Sequence, residues 1–540
     1  MTHIFIFNNT SRAANYGIGT YVRSLAEGLL EHKNVTVSFV DMVSDDIKEY
    51  TITTDERGCQ HYGIPTLPSK MESEQYCRTS FYFLARHINP GSEERLVFQF
   101  NYFHHMPLAM LLKNQYFDCR IVLTVHYLGW CFELKGNKTQ FHRLTAEGYR
   151  PQDEKEKKIL STVESEKSFL HLADEVLVLS KDTQRILTED YAVFPEKLQL
   201  VYNGKGDALC LKTASDTPEL RTVLYVGRLD EIKGLEYLIA AFKSICQKHP
   251  DVRLVIAGDG DFQRYLSQCR ELSGRVMFMG KMSSNELDGL YQTATIGVMP
   301  SFHEQCSYTA IEMMRHGIPL IGTDSTGLAE MLDATPEFRV PIDEDNWNED
   351  CFVNEISSRM DLLLSDNEAY RRASAAVSQL YGIRYRVSSM IRETYRAIEK
   401  SFCRSNYTMS PDFLEHIDYK MFQLIDQCPD IDTNFYGIGG IGVYLWRRSL
   451  ALCERGEQSA HVSLIQEYLI YYLDWLREVA VGNRLPNESM AMLHSMRQTN
   501  FYQTCVQELL ASHLSGDAPS LMPQDKTIIQ NAFKICNCKI

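Results

Sequence analysis

Ile296-Gly-Val-Met-Pro300-Ser-Phe-His-Glu304-Gln-Cys306-Ser307-Tyr308-Thr-Ala-Ile-Glu312-Met-Met-Arg-His-Gly317-Ile-Pro-Leu-Ile-Gly322 reads as strand, loop, helix and strand in succession. The apolar run 296–299 is closed by Pro300, the helix after the loop stops at Gly317, and a second apolar run follows at 319–322. Two short apolar strands joined by a helix belong side by side and parallel in an α/β sheet. Glu304 sits in the loop, and Glu312 is expected about two turns into the helix. Eight residues of helix is slightly more than two turns, so both carboxylates are expected to face one cleft. The helix start between them offers unpaired N–H groups to an anion. Carboxylates that accept from hydroxyls, set around amides that hold an anion, suit a phosphorylated sugar.

Outward from this unit the same alternation repeats. Short β-rich runs at 4–7, 35–40, 96–100, 121–125, 176–179 and 198–201 form one set. Runs at 222–226, 253–257, 276–279, 296–299 and 319–322 form a second. Two such sets predict two doubly wound parallel sheets with helices on both faces. The break falls at 204–221, where Gly-Lys-Gly-Asp and Lys-Thr-Ala-Ser-Asp-Thr-Pro have linker composition. The expected organisation is a first Rossmann-like domain over 1–205, a second over 206–385, a helix crossing back over 386–404, and a helical extension over 405–540. In that extension, 413–425 and 462–481 are helix candidates, and the glycines of 434–446 read as a tight turn into a packed helix.

At 540 residues the chain is long enough for two or three domains, and its net charge of −15 argues against a general nucleic-acid binder. No apolar run approaches the roughly 20 residues needed to span a bilayer. Met-Thr-His-Ile-Phe-Ile-Phe-Asn reads as a first strand rather than a signal peptide. The fifteen cysteines lack paired zinc-type spacing, so free thiols in a reducing cytoplasm are expected, with no metal site.

Other strand ends carry candidate chemistry. Gly17 and Gly19 follow the first strand and permit close approach of a ligand. Thr124-Val-His126 ends another strand and brings an imidazole toward the cleft. His104 and His105 are weaker candidates of the same kind. Gly227-Arg228, with Lys233 five residues on, pairs a planar fork with a point charge, both suited to phosphate. Gly258 and Gly260 in Ala-Gly-Asp-Gly fit a close backbone pass beside a nucleotide or a plain tight turn. Glu330 in Gly-x-x-Glu fits either a helix cap or a sugar contact.

In order and type these motifs resemble the family 4 glycosyltransferases, which have the GT-B fold of two Rossmann-like domains, over about residues 1 to 400. The resemblance implies a retaining transfer of a hexosyl or N-acetylhexosaminyl group from a UDP-, GDP- or ADP-sugar to a saccharide, lipid-linked or peptide acceptor, without a metal. It implies that Arg228 and Lys233 stabilise the leaving diphosphate and that Glu312 binds the ribose. Glu304 would contact the transferred sugar, the amides of Cys306, Ser307 and Tyr308 would hold phosphate, and His126 would lie near sugar and acceptor. Gly17, Gly19, Gly227, Gly258, Gly260 and Glu330 complete the expected nucleotide-sugar site. The family's glycine-containing loop is here Gln305-Cys306-Ser307-Tyr308, and Tyr308 is expected to narrow the sugar pocket. The segment 129–150, with Trp130, Phe132, Lys135, Lys138, His142 and Arg143, is the expected acceptor segment. Two alternatives stay open, a sugar-nucleotide epimerase on the same scaffold and a non-catalytic binding or scaffold protein. The run Phe-Tyr-Gly-Ile-Gly-Gly-Ile-Gly-Val-Tyr-Leu is similar to a repeat in lanthionine synthetase C-like proteins, and the extension is read as docking a protein partner or acceptor. The expected location is cytoplasmic, with peripheral contact at the inner membrane face left open.

Overall fold

The structure is a computed structural model and describes residues 1–403 apart from 10–16, 45–46, 67–72, 92, 117–118, 147, 208, 210–219 and 273. The readings of the 405–540 extension, including its helices, glycine turn and lanthionine synthetase-like repeat, lie outside the described residues.

The first sheet has eight strands: β1 (Thr2–Asn9), β2 (Val35–Ser44), β3 (Thr51–Thr54), β4 (Gln60–Pro65), β5 (Arg95–Phe100), β6 (Arg120–Val125), β7 (Glu175–Val178) and β8 (Leu198–Leu200). Their order is β3-β4-β2-β1-β5-β6-β7-β8. All neighbours are parallel except the edge hairpin β3–β4. The second sheet has six: β9 (Arg221–Val226), β10 (Val252–Ala257), β11 (Val276–Gly280), β12 (Ile296–Met299), β13 (Leu320–Thr323) and β14 (Arg339–Val340), ordered β11-β10-β9-β12-β13-β14 and parallel throughout. Strand order reverses beside β1 in the first sheet and beside β9 in the second. Crevices beyond the carboxyl ends of β1/β5 and β9/β12 are therefore where a ligand is expected. These are the two Rossmann-like sheets of the GT-B fold.

Side-chain alternation explains the double winding. On β1, Ile4 and Ile6 pack with Tyr21, Val22 and Leu25 of helix Gly17–Leu29. Phe5 and Phe7 face the other way, against Phe98 and Phe100 of β5 at 5.5 and 4.2 Å between centroids. On β9, Val223 and Tyr225 join the core of helix Leu235–Lys248, while Leu224 joins that of helices Tyr308–Arg315 and Asn367–Arg384.

The chain passes between the sheets twice, and the passes are bonded together. The Lys205 amide donates to Tyr385 O (3.1 Å), and the Val387 amide to Gly206 O (3.1 Å). The Tyr381 hydroxyl donates to Lys205 O and Gly206 O. Helix Val387–Cys403 then packs on the first sheet's side, with Met390, Ala397 and Ile398 in the core that holds Ile4 and Val22. A Cβ on Gly28 would lie 1.7 Å from Ile391 Cδ1, so this packing uses the missing side chain.

A second compact unit contains helices Ser73–His87 and Met106–Gln115. Within it the Cys77 thiol donates to His104 O (3.6 Å), and the Tyr116 hydroxyl to Ile88 O (2.8 Å). Among the described residues no helix is long and apolar enough to cross a membrane, and the described cysteines are free thiols.

Candidate active site

A cleft of about 360 Å³ opens between the carboxyl edges of the two sheets. The first sheet contributes Gly17 and Arg23 from helix Gly17–Leu29 and His126 from the end of β6. The second contributes Gly227, Arg228 and Lys233 after β9, Gly258 after β10, and Glu304 to Glu312 after β12. Of the residues expected from sequence, Gly17, His126, Gly227, Arg228, Lys233, Gly258, Glu304, Cys306, Ser307, Tyr308 and Glu312 line this cleft. Gly19, Gly260 and Glu330 do not, nor do His104 and His105.

Lys233 and Glu304 form the closest charge pair in it. Lys233 Nζ lies 2.6 Å from Glu304 Oε1, with both side chains largely buried. Ser301 Oγ donates to the same oxygen at 3.1 Å. The loop carrying Glu304 is fixed by its backbone, since the Glu304 amide donates to Thr326 Oγ1 (3.1 Å) and the Gly327 amide to Glu304 O (2.8 Å). A Cβ on Gly327 would sit 1.7 Å from Gln305 O, so only glycine allows this approach. Arg228 pairs with Asp230 at 2.8 Å and stays about two-fifths exposed at the cleft wall. Gly258 has φ +155°, and its Cβ would meet Gly227 O at 1.7 Å. It lets the β10 end support the loop that carries Arg228.

Glu312 is held at both oxygens, by Lys205 Nζ at Oε1 (3.0 Å) and by the Tyr291 hydroxyl at Oε2 (2.8 Å). Lys205 lines the cleft, and sequence reading missed it because a lysine among glycines reads as solvated linker. The two glutamates do share the cleft, but not through helical periodicity. The helix is Tyr308–Arg315, so Glu304 lies outside it and Glu312 falls in its second turn. Loop geometry, not a 3.6-residue repeat, brings the carboxylates together.

His126 is fixed in one tautomer. Asn101 Nδ2 donates to Phe7 O (3.0 Å), which turns Asn101 Oδ1 toward His126 Nε2 at 3.0 Å. Nε2 therefore carries the proton and Nδ1 is the acceptor. Burial lowers the imidazole pKa to about 3, so the ring is neutral at pH 7.

Several expectations need correction. Glu330 neither contacts the cleft nor caps its own helix, Thr326–Met331. It accepts from the Tyr202 hydroxyl and from the Lys181 amide (2.8 Å), at the first turn of helix Lys181–Glu189 beside the first sheet. The Ser307 amide, expected to hold phosphate, donates to Met331 Sδ at 3.3 Å. Tyr308 packs its ring against the first sheet's core, with its hydroxyl 4.0 Å from Met390 Sδ, so it bridges the two sheet domains rather than only narrowing a sugar pocket. Gly19 is buried inside helix Gly17–Leu29. Gly260 serves packing, because its Cβ would lie 2.7 Å from Leu229 Cβ. In the expected acceptor segment, Trp130 is fully buried and stacked on Phe141 at 4.2 Å, which makes it core. Among the described residues no group of three or more His, Cys, Asp or Glu is placed to hold a metal.

The family model described as Glycosyltransferase Family 4 matches residues 16–204, and the one described as Glycosyl transferases group 1 matches residues 220–357. An uncharacterised glycosyltransferase of Methanocaldococcus jannaschii is 30% identical over 173 residues, 29% of this chain and 44% of its own. The alpha-D-kanosaminyltransferase of Streptomyces kanamyceticus is 28% identical over 177 residues, covering 31% of this chain and 42% of that protein. The chain thus spans less than half the length of these curated relatives. Among solved structures, sucrose-phosphate synthase from Thermosynechococcus elongatus superposes with a TM-score of 0.60 at 20% identity, over 75% of this chain and all of that one. The α,α-trehalose 6-phosphate synthase of Burkholderia multivorans superposes with a TM-score of 0.53 at 12% identity, over 75% and 99%. At these identities the likeness is one of fold.

Proposed function

The chain belongs to the glycosyltransferases, a family 4 domain followed by a group 1 domain, and from that premise we propose that it moves a sugar from a nucleotide diphosphate sugar to a hydroxyl-bearing acceptor with retention of configuration. The observation that carries this reading is the Lys233–Glu304 pair, set beside Arg228 in a cleft that both sheets line. Lys233 spends one N–H on Glu304 and keeps its remaining protons for phosphate. Arg228 adds a second cation at the exposed wall. Charge that develops on the leaving diphosphate is met by groups already in place, which is where such stabilisation is most effective.

Glu304 gives Oε1 to Lys233 and Ser301, leaving Oε2 for a hydroxyl of the transferred sugar. Glu312 has its carboxylate plane fixed by Lys205 and Tyr291, and the remaining lone pairs suit the ribose hydroxyls. Neutral His126 offers Nδ1 as an acceptor to a sugar hydroxyl, and it does not act as a charged acid at pH 7. The amides of Tyr308 and Thr309 open helix Tyr308–Arg315 and favour phosphate there. In a front-face displacement the donor C1–O bond to the diphosphate breaks and the acceptor oxygen bonds to C1 on the same face. The acceptor proton passes to the departing phosphate oxygen. The cations of this chain supply the neutralising charge in that reading, and no metal ion enters it.

The test is transfer from a panel of UDP-, GDP- and ADP-sugars, with the product's anomeric configuration read by NMR. Wild type is expected to yield a retained linkage, and Lys233→Ala and Glu312→Ala each to lose at least about a hundredfold in kcat/KM, the order seen when one electrostatic group is removed. Near-normal rates in both variants would sink the assignment. An epimerised free nucleotide sugar as sole product would replace it.

A further inference from the structure

We propose a second binding site, for a saccharide, in a cavity of about 370 Å³ on the far side of the loop 301–304. That loop serves two spaces, since Glu304 lines the donor cleft while Phe302 lines this cavity. The first sheet domain closes the cavity with the segment 134–138, and the second supplies Glu236, Tyr237, Asp324, Glu344 and Trp347.

The two domains meet closely here. A Cβ on Gly136, at φ +78°, would lie 2.3 Å from Phe302 O. Lys135 Nζ reaches Glu231 Oε2 at 2.9 Å, and the Thr139 amide donates to Glu344 Oε2 at 2.7 Å. The walls are therefore held together by specific bonds across the domains.

The lining chemistry selects the ligand class. Phe302, Tyr237 and Trp347 form an aromatic wall, with Trp347 5.3 Å from Phe302 and 5.6 Å from Tyr237, yet Trp347 remains 41% exposed. Flat apolar faces beside a few fixed polar groups are how a concave site grips a ring with an apolar face and a hydroxyl rim. Carboxylates outnumber cations in the lining, and the cations are engaged: Lys135 with Glu231, and Lys138 with Asp182 at 3.5 Å. That disfavours a phosphate or other anion. Glu344 lines the cavity and gives Oε2 to the Thr139 amide, which fixes its carboxylate and leaves Oε1 for a further donor. A sugar hydroxyl supplies one. The ligand is thus a neutral saccharide, its ring against Trp347 and a hydroxyl donating to Glu344. Because Phe302 and Glu304 share one short loop, occupancy here would steady the Lys233–Glu304 pair from behind.

The experiment titrates the full-length protein with maltotriose and with cellotriose, by calorimetry and saturation-transfer NMR, and separately with UDP, GDP and ADP by thermal shift. Wild type is expected to bind at least one trisaccharide in the millimolar range. Trp347→Ala should weaken that binding tenfold or more and Glu344→Gln severalfold, with nucleotide shifts unchanged in both. Glu344→Gln, nearly isosteric, keeps the test valid if Trp347→Ala does not fold. Absence of trisaccharide binding, or binding indifferent to both variants, overturns the site. Binding of spermidine in its place, lost in Glu344→Gln, overturns the saccharide class. The nucleotide arm reports on the donor cleft by itself, so failure here is distinguishable from failure of the transferase reading.

Discussion

Lys233 and Glu304 fix each other, and removing either leaves a different defect. Lys233→Ala takes away charge that the diphosphate needs and should act mainly on kcat. Glu304→Gln keeps the shape and leaves Lys233 present but less well held, so a smaller loss in kcat with a raised KM is expected from initial-rate kinetics. Lys205 presents the same question for the nucleotide. It alone among the described residues ion-pairs Glu312, so Lys205→Met should raise donor KM several-fold with a lesser change in kcat, and Lys205→Arg should restore part of it. Spacing and residue type made Lys233, Arg228 and both glutamates readable from sequence, because each follows a recognisable strand end. Lys205 was not readable, since its partner is distant in sequence and its own surroundings look like linker. His303 was equally silent. It is buried with both ring nitrogens unpartnered, and burial, then Lys233 and Lys138, lower its pKa to about 3. The unfolded value is about 6.5. The folded state thus resists a proton that the unfolded state accepts, so this contribution to stability is complete above pH 6.5 and is lost as pH falls toward 3. Melting temperature against pH should fall less steeply between 6.5 and 4 in His303→Gln than in wild type.

At the scale of elements, strands with a continuous apolar run were legible, including the largely exposed β11 (Val276-Met-Phe-Met), and those without one were not. Apolar runs such as 4–7, 121–125 and 296–299 fall inside β1, β6 and β12 because a strand covered on both sides must be apolar almost throughout. The hairpin β3–β4 escaped notice. Thr51-Ile-Thr-Thr is largely exposed, and Gln60-His-Tyr-Gly-Ile-Pro carries polar residues at its edge, so neither gives a continuous apolar signal. The two-residue β14 is too short for any pattern. Glycine roles divide the same way, because sequence shows a glycine but not what stands opposite its missing side chain. Gly327→Ala drives a Cβ to 1.7 Å from Gln305 O, whereas Gly17→Ala meets nothing closer than Tyr308 Cδ2 at 3.7 Å. Backbone cannot swing aside as a side-chain tip can. Overpacking of this kind costs about 1–3 kcal/mol, so Gly327→Ala should lower the melting temperature clearly and, by moving the Glu304 loop, lower activity further. Gly17→Ala should leave the melting temperature near wild type. Equal thermal effects of the two would contradict the close approach at Gly327.

Across the whole first unit, the sheets are joined by more than two chain crossings. Glu330 belongs to the second sheet's domain, yet it accepts from the Lys181 amide of the first and from Tyr202 just before the hinge, while Arg384 donates to its backbone oxygen at 3.3 Å. From sequence, this carboxylate stood beside Glu312 as a candidate for nucleotide-sugar binding, and both follow strands of the same sheet. Their partners separate them: Glu312 lines the cleft, and Glu330 closes a joint between domains. A thermal experiment can tell a joint from a ligand contact. A ligand that binds only the folded state at a hundred times its dissociation constant adds about 2.7 kcal/mol of stability. Glu330→Ala leaves the half-buried Tyr202 hydroxyl and a helix-start amide without their acceptor, a loss toward the lower end of about 1–3 kcal/mol for each group left unsatisfied. It should therefore melt well below wild type with no ligand present. Provided the domains still close, each nucleotide that shifts wild type should shift this variant by nearly the same increment at an equal multiple of its dissociation constant, and at nearly the same concentration. Glu312→Ala also orphans a hydroxyl, that of the buried Tyr291, so its empty protein should melt lower too, but its shift should need much more nucleotide. If Glu330→Ala instead melts like wild type and loses its response to nucleotide, Glu330 is a ligand contact and the joint does not depend on it.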